Sequence, residues 1–145
     1  GFVMGDPGLL APDLLEAVSP VPGRQDMITY VPHWSDYERT VSLEGEDATV
    51  NLLGDPLEAL KRIRAASLVV SSSLHGIIFA DAFGIERVWY YQEKAVGDGF
   101  KFRDYGSLVG GFEPDDSVKV ADSRIRQIQS DLRGVFDTWA MNHVS

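Results

Sequence analysis

Between Thr49 and Tyr91 the chain alternates strand, helix, strand, helix and strand, and no other feature narrows its fold as much. Thr49 to Leu53 reads as a strand. Asp55 then takes the N-cap of a helix, Pro56 its first position and Glu58 its third, a capping box that satisfies amides a helix start leaves open. Leu57, Leu60 and Ile63 give that helix an apolar stripe. Leu68 to Ser71 is a short apolar run of the kind buried on both faces of a parallel sheet. A second helix is predicted from Ser73 to Phe83, with Leu74, Ile77, Ile78 and Ala82 on one face and Gly84 ending it. Val88 to Tyr91 is the next strand. The spacing predicts an α/β fold: an open parallel sheet with right-handed crossovers and helices on both faces.

The flanks are less regular. Gly1 to Met4 reads as a strand end, after which Asp6 can cap and Pro7 can start a helical turn. Leu9, Leu10, Leu14 and Leu15 form an apolar face that Pro12 interrupts. Ser19 to Gly23 reads as a loop, and Met27 to Val31 as a short strand closed by Pro32. Asp36 to Asp47 is either a surface helix or a loop. Gln92 to Gly111 is glycine-rich and polar and reads as a long loop. Ser117 to Val120 suits an edge strand. A closing helix from Arg124 to His143, capped by Ser123, repeats Ile125, Ile128, Leu132, Val135, Phe136 and Trp139 at helical spacing, a core stripe.

A length of 145 residues suits one domain, residues 1–145. A start at Gly1 rather than Met fits an excised domain. The net charge of −9, from 13 basic and 22 acidic residues, repels phosphate backbones and anionic headgroups, so neither a nucleic-acid partner nor a membrane-surface partner is expected. No apolar run approaches the roughly 18 residues of a membrane span. With no cysteine there is no disulfide, thiolate metal site or cysteine nucleophile, and a cytoplasmic setting is expected. The histidines lie far apart in sequence and no dinucleotide glycine fingerprint occurs, so neither a bound metal nor a cofactor is expected.

Ser71-Ser72-Ser73-Leu74-His75-Gly76 lies where an apolar strand gives way to a helix. In open α/β sheets that edge binds ligands, and the helix start offers free amides and a positive dipole end. Successive hydroxyls beside His75 suit an anion, and Gly76 allows a close backbone approach. The same residues also fit a serine-capped helix with an ordinary histidine. His33, Trp34 and Asp36 follow another predicted strand and can line the same edge, or belong to a plain proline turn. Lys94, Lys101 and Arg103, after Tyr91, are candidate phosphate clamps or solvated charges.

In order and spacing, Gly5-Asp6-Pro7-Gly8-Leu9-Leu10, Val31-Pro32-His33-Trp34, Asp55-Pro56-Leu57, Ser71 to Ile78, and Ala80, Ala82, Phe83, Gly84 and Ile85 resemble the polysaccharide pyruvyl transferase family. The resemblance runs from about Gly5 to Ser107. It implies a single Rossmann-like domain similar to the C-terminal half of a two-domain glycosyltransferase-B type fold, with the missing N-terminal domain as partner. It further implies transfer of a pyruvate unit from phosphoenolpyruvate to a glycan or lipid-linked sugar acceptor, as a ketal on an exopolysaccharide or cell-wall glycan. Family members carry Arg or Ser before Leu-His. Ser73 stands there, so the charge an Arg would offer the donor must come from elsewhere.

On that reading His75 is the general acid, a role suited to a side chain that titrates near neutrality. Ser71, Ser72, Ser73 and Gly76, with Lys94 and Arg103, hold the donor, and His33 or Asp36 accepts the sugar's proton. Two alternatives stand beside it. One is a nucleotide-sugar glycosyltransferase half-domain, with Glu93 as the acid for a ribose. The other is a non-catalytic α/β ligand-binding module. A receiver domain would need clustered acids after Val31, where Pro32 and His33 stand instead.

Overall fold

The computed structural model describes residues 5–18, 26–90, 99–110 and 113–143. Among them, strands β1 (Ile28–Val31), β2 (Leu68–Ser71), β3 (Glu86–Trp89) and β4 (Ser117–Val118) form one sheet in the order β1-β2-β3-β4. The first three are parallel, with Val31, Ser71 and Trp89 in register. β4 is antiparallel to β3, so the sheet is mixed rather than wholly parallel. Helices α1 (Ala11–Val18), α2 (Tyr37–Glu44), α3 (Pro56–Ala65), α4 (Leu74–Ala82), α5 (Phe100–Val109) and α6 (Asp122–His143) complete the described chain, with short 3-10 turns at Pro7–Leu10 and Trp34–Asp36. No helix among the described residues is long and apolar enough to cross a membrane.

The caps behave as their chemistry dictates. Asp55 accepts hydrogen bonds from the amides of Leu57 and Glu58, and Asp6 accepts from Gly8 at 2.7 Å. Pro12 does not break the apolar face, because it falls in the first turn of α1, where a missing N–H goes unneeded. Thr49 to Leu53 is not a strand. Its pairing stops at a single parallel bridge between Tyr30 and Thr49. There Asn51 turns the chain by accepting from the amide of Leu53 at 2.9 Å, a local bond that competes with the ladder.

Among the described residues, α3 and α4 pack on one face of the sheet. Val31 and Val69 pack with Ala59 and Ile63 of α3 and Ala80 of α4 in one buried cluster. On the opposite face Leu68, Val70 and Val88 are only half-buried, and Ile28 and Glu86 are exposed. The strand order explains this. Sequential parallel strands joined by right-handed crossovers put α3 and α4 on the same side.

A second cluster joins Ile77, Ile78 and Trp89 to Tyr105 of α5 and to Ile125, Ile128 and Leu132 of α6. Val135, expected in that stripe, is exposed, and the side chains of Phe136 and Trp139 lie outside the described residues. α6 is tied back across the chain by Gln129, which donates to the Leu9 carbonyl at 2.8 Å, and by Arg133, which pairs with Asp13. Where Gln92 to Gly111 reads as a loop, residues 100–109 form α5, because Phe102 stacks on Trp89 with ring centroids 4.6 Å apart.

The second cluster encloses charge. Arg87 faces inward from β3, with its Nε 2.9 Å and its Nη2 3.2 Å from the two carboxylate oxygens of Asp81, both side chains fully buried. Tyr105 donates to the same carboxylate at 2.8 Å. Burial pushes the Asp81 carboxyl up while Arg87 and Tyr105 pull it down; the tyrosine itself is raised by burial and by the Asp81 charge, and so remains a donor. Removing one partner strands a buried charge. Asp81→Ala should therefore cost about 3–5 kcal/mol in urea unfolding, while Asp81→Leu combined with Arg87→Met should recover most of it. Equal losses in the single and double variants would contradict this account.

Candidate functional site

The site forms at the C-terminal ends of β1 and β2. α4 starts two residues past β2, and its seat there is fixed by Gly76. A Cβ at that position would stand 2.8 Å from Val31 Cγ1 and 2.9 Å from Val31 Cβ, and would overlap the Ser71 hydroxyl. The close approach that glycine permits is therefore one of helix to strand, not of ligand to backbone.

The serines divide into separate roles. Ser71 is buried; its hydroxyl lies 2.7 Å from the Val31 carbonyl and 2.8 Å from that of Ser73, and accepts from the Ser73 amide at 3.0 Å. It joins the ends of β1 and β2 to the start of α4. Ser72, also buried, accepts from the His33 amide at 2.9 Å and so anchors the turn after β1. Only Ser73 lines open space. It holds the N-cap position, and its side chain makes no cap hydrogen bond to the start of α4.

Above that start lies a cavity of about 720 Å³. His33, Trp34, Tyr37, Asn51, Ser73 and His75 are among the residues that line it, together with leucines of the first turn, α1 and α3. His75, exposed in the first turn of α4, leans on Phe79 one turn later, ring centroids 6.0 Å apart. His33 packs against Trp34 at 5.3 Å, and the Trp34 ring is 66% exposed. Although the chain carries 22 acidic residues, no Asp or Glu is among the described residues that line this cavity. Among the described residues no group of His, Asp or Glu is placed to hold a metal ion.

Two histidines 42 positions apart in sequence thus meet at one cavity, as the sequence pattern anticipates. Asp36 does not line it; its backbone closes the 3-10 turn with His33 and caps Thr40. Arg103 and Lys101 belong to α5 and are not lining residues either. Lys94 and Glu93 lie outside the described residues. Tyr37, Asn51 and the leucine wall went unread in the sequence, since leucines of this spacing look like ordinary core.

Residues 2–93 match the polysaccharide pyruvyl transferase family. The chain belongs to that family. The match spans β1 to β3 and every residue of the cavity, and stops short of α5 and α6. An uncharacterized protein of Acanthamoeba polyphaga mimivirus is 36% identical over 120 residues, covering 75% of this chain and 40% of the viral protein. The chain therefore spans well under half the length of that curated relative. No solved structure matches the chain, so the glycosyltransferase-B likeness rests on the sequence resemblance alone.

The geometry of this segment makes two predictions. Gly76→Ala must push Val31 and Ser71 aside and should cost about 1–3 kcal/mol, read as a lower urea midpoint; an unchanged midpoint would refute the tight seat. Ser72→Ala leaves the His33 amide without its acceptor and should cost about 1–3 kcal/mol, whereas Ser73→Ala, which loses no cap bond, should melt like the parent. Equal melting of the two serine variants would overturn the division of roles.

Proposed function

We propose that this segment carries the donor half of a pyruvyl transfer site, taking phosphoenolpyruvate and forming a pyruvate ketal on a sugar diol of a glycan or lipid-linked acceptor. The observation that supports this reading most is the cavity at the start of α4, with His75 and His33 on its wall and no carboxylate among its described lining residues, inside the part of the chain that matches the family. An anionic donor meets no carboxylate among the described lining residues and finds a helix start with its positive dipole end.

In this scheme His75 delivers a proton to the methylene carbon of phosphoenolpyruvate, which leaves C2 electrophilic. One sugar hydroxyl bonds to C2 and releases its proton, which His75 takes back. A second hydroxyl of the same sugar displaces phosphate and closes the ketal, and its proton leaves with the phosphate. One donor and one diol give one ketal and one inorganic phosphate. Ser73 and the first amides of α4 hold the donor's oxygens, while Trp34 offers a flat apolar surface for the sugar ring. Ser71, Ser72 and Gly76 serve the site by holding α4 and the His33 turn in place. Phosphoenolpyruvate as donor implies a cytoplasmic reaction. The reading makes this the C-terminal half of the enzyme, so turnover is expected of a longer protein that adds the N-terminal half.

Phosphate release from phosphoenolpyruvate, with ketal formation on a sugar acceptor, is the direct test; release from nucleotide sugars instead would favour the glycosyltransferase alternative. His75→Ala in the full-length protein should lower kcat by about 10²–10⁴-fold with little change in melting temperature. An unstable yet fully active variant would end the assignment.

A further inference from the structure

His33 carries a constraint that its place in the cavity does not by itself reveal. It occupies the N-cap of the 3-10 turn Trp34–Asp36, and its own ring serves as the cap: Nδ1 accepts from the Ser35 amide at 3.4 Å. The Ser35 hydroxyl lies 2.8 Å from the same nitrogen. A backbone N–H can only donate, so Nδ1 is compatible with this turn only as an unprotonated acceptor. The serine hydroxyl, which can turn either way, then donates as well. The amide of His33 is held separately by Ser72, which fixes the backbone from which the ring projects.

From this we infer that neutral His33 is locked with its proton on Nε2 and presents an N–H donor to an anionic oxygen in the cavity, with Ser35 as the positioning residue. The inference rests on the cavity being the donor site, as proposed above. It removes His33 from the role of proton acceptor, because the nitrogen with a free lone pair is consumed by the turn. It also assigns different tasks to the two histidines of one cavity: His75 moves a proton, and His33 holds an oxygen.

The tautomer is read directly from long-range 1H–15N correlations of histidine-labelled chain above neutral pH. A pyridine-like Nδ1 and a pyrrole-like Nε2 are expected for His33; the opposite pattern would overturn the inference. The donor role is read by titrating phosphoenolpyruvate and inorganic phosphate into the parent, His33→Gln and His33→Asn. Glutamine places an amide donor near the Nε2 position, and asparagine places an acceptor near Nδ1 but has no group that reaches as far. His33→Gln should bind within about threefold of the parent and His33→Asn about 10–100-fold more weakly, the loss of a hydrogen bond to a charged group. Equal affinities for the two variants, or no binding to the parent, would refute the donor role. Failure to turn over phosphoenolpyruvate, with the tautomer and the anion binding as expected, would count against the proposed reaction alone.

Discussion

The closest approach of α4 to the sheet, over the bare backbone of Gly76, is the contact from which the rest of the site follows. With a side chain there, α4 would have to retreat from Val31 and from the Ser71 hydroxyl, and Ser73 and His75 would move with it. Ser71 answers the same contact from below. Its single hydroxyl serves β1, β2 and the start of α4 at once, so the end of the sheet and the helix form one piece. Ser72 extends that piece to His33. A chain of backbone-directed bonds thus reaches from one histidine to the other without using either ring.

Much of the fold was legible because its signals are local. Asp55-Pro56 and Asp6-Pro7 start helical turns where cap chemistry says they must, and the apolar runs at Met27 to Val31 and Leu68 to Ser71 become strands. What escaped was decided by tertiary contact or by one polar side chain. Asn51 ends the pairing after Thr49 with a bond to an amide two residues on. α5 forms in a polar, glycine-containing stretch because Phe102 and Tyr105 have Trp89 and Asp81 to pack on. Arg87 sits inside because Asp81, six residues earlier, meets it with both oxygens. That α3 and α4 share one face of the sheet is a matter of strand order, which no apolar run encodes.

The site was legible in its chemistry and not in its division of labour. Both histidines and the serine run stood out in the sequence. Three hydroxyls in a row carry no mark of which one will face a ligand. That depends on where the strand ends: Ser71 still points inward with the β2 alternation, Ser72 turns toward the neighbouring strand, and only Ser73 reaches the cavity. Asp36 was a reasonable candidate by proximity in sequence, yet the 3-10 turn that brings Trp34 and His33 to the cavity leaves it off the wall.

Charge completes the argument. A chain with a net charge of −9 repels an anion at a distance, but salt screens exposed charges beyond about 8 Å at physiological ionic strength. Inside that distance only the nearest groups count. Among the described residues the cavity wall holds two histidines, a tyrosine, a helix start whose N-cap residue makes no side-chain cap bond, and leucines, with no acid. The leucines matter electrically as well as sterically. An apolar wall lowers the local dielectric, so each hydrogen bond from Ser73, the α4 amides or a histidine to a bound anion is stronger there than it would be in water. The lack of carboxylates among the described lining residues and the apolar wall therefore act in the same direction, both favouring a bound anion over what the net charge alone would allow.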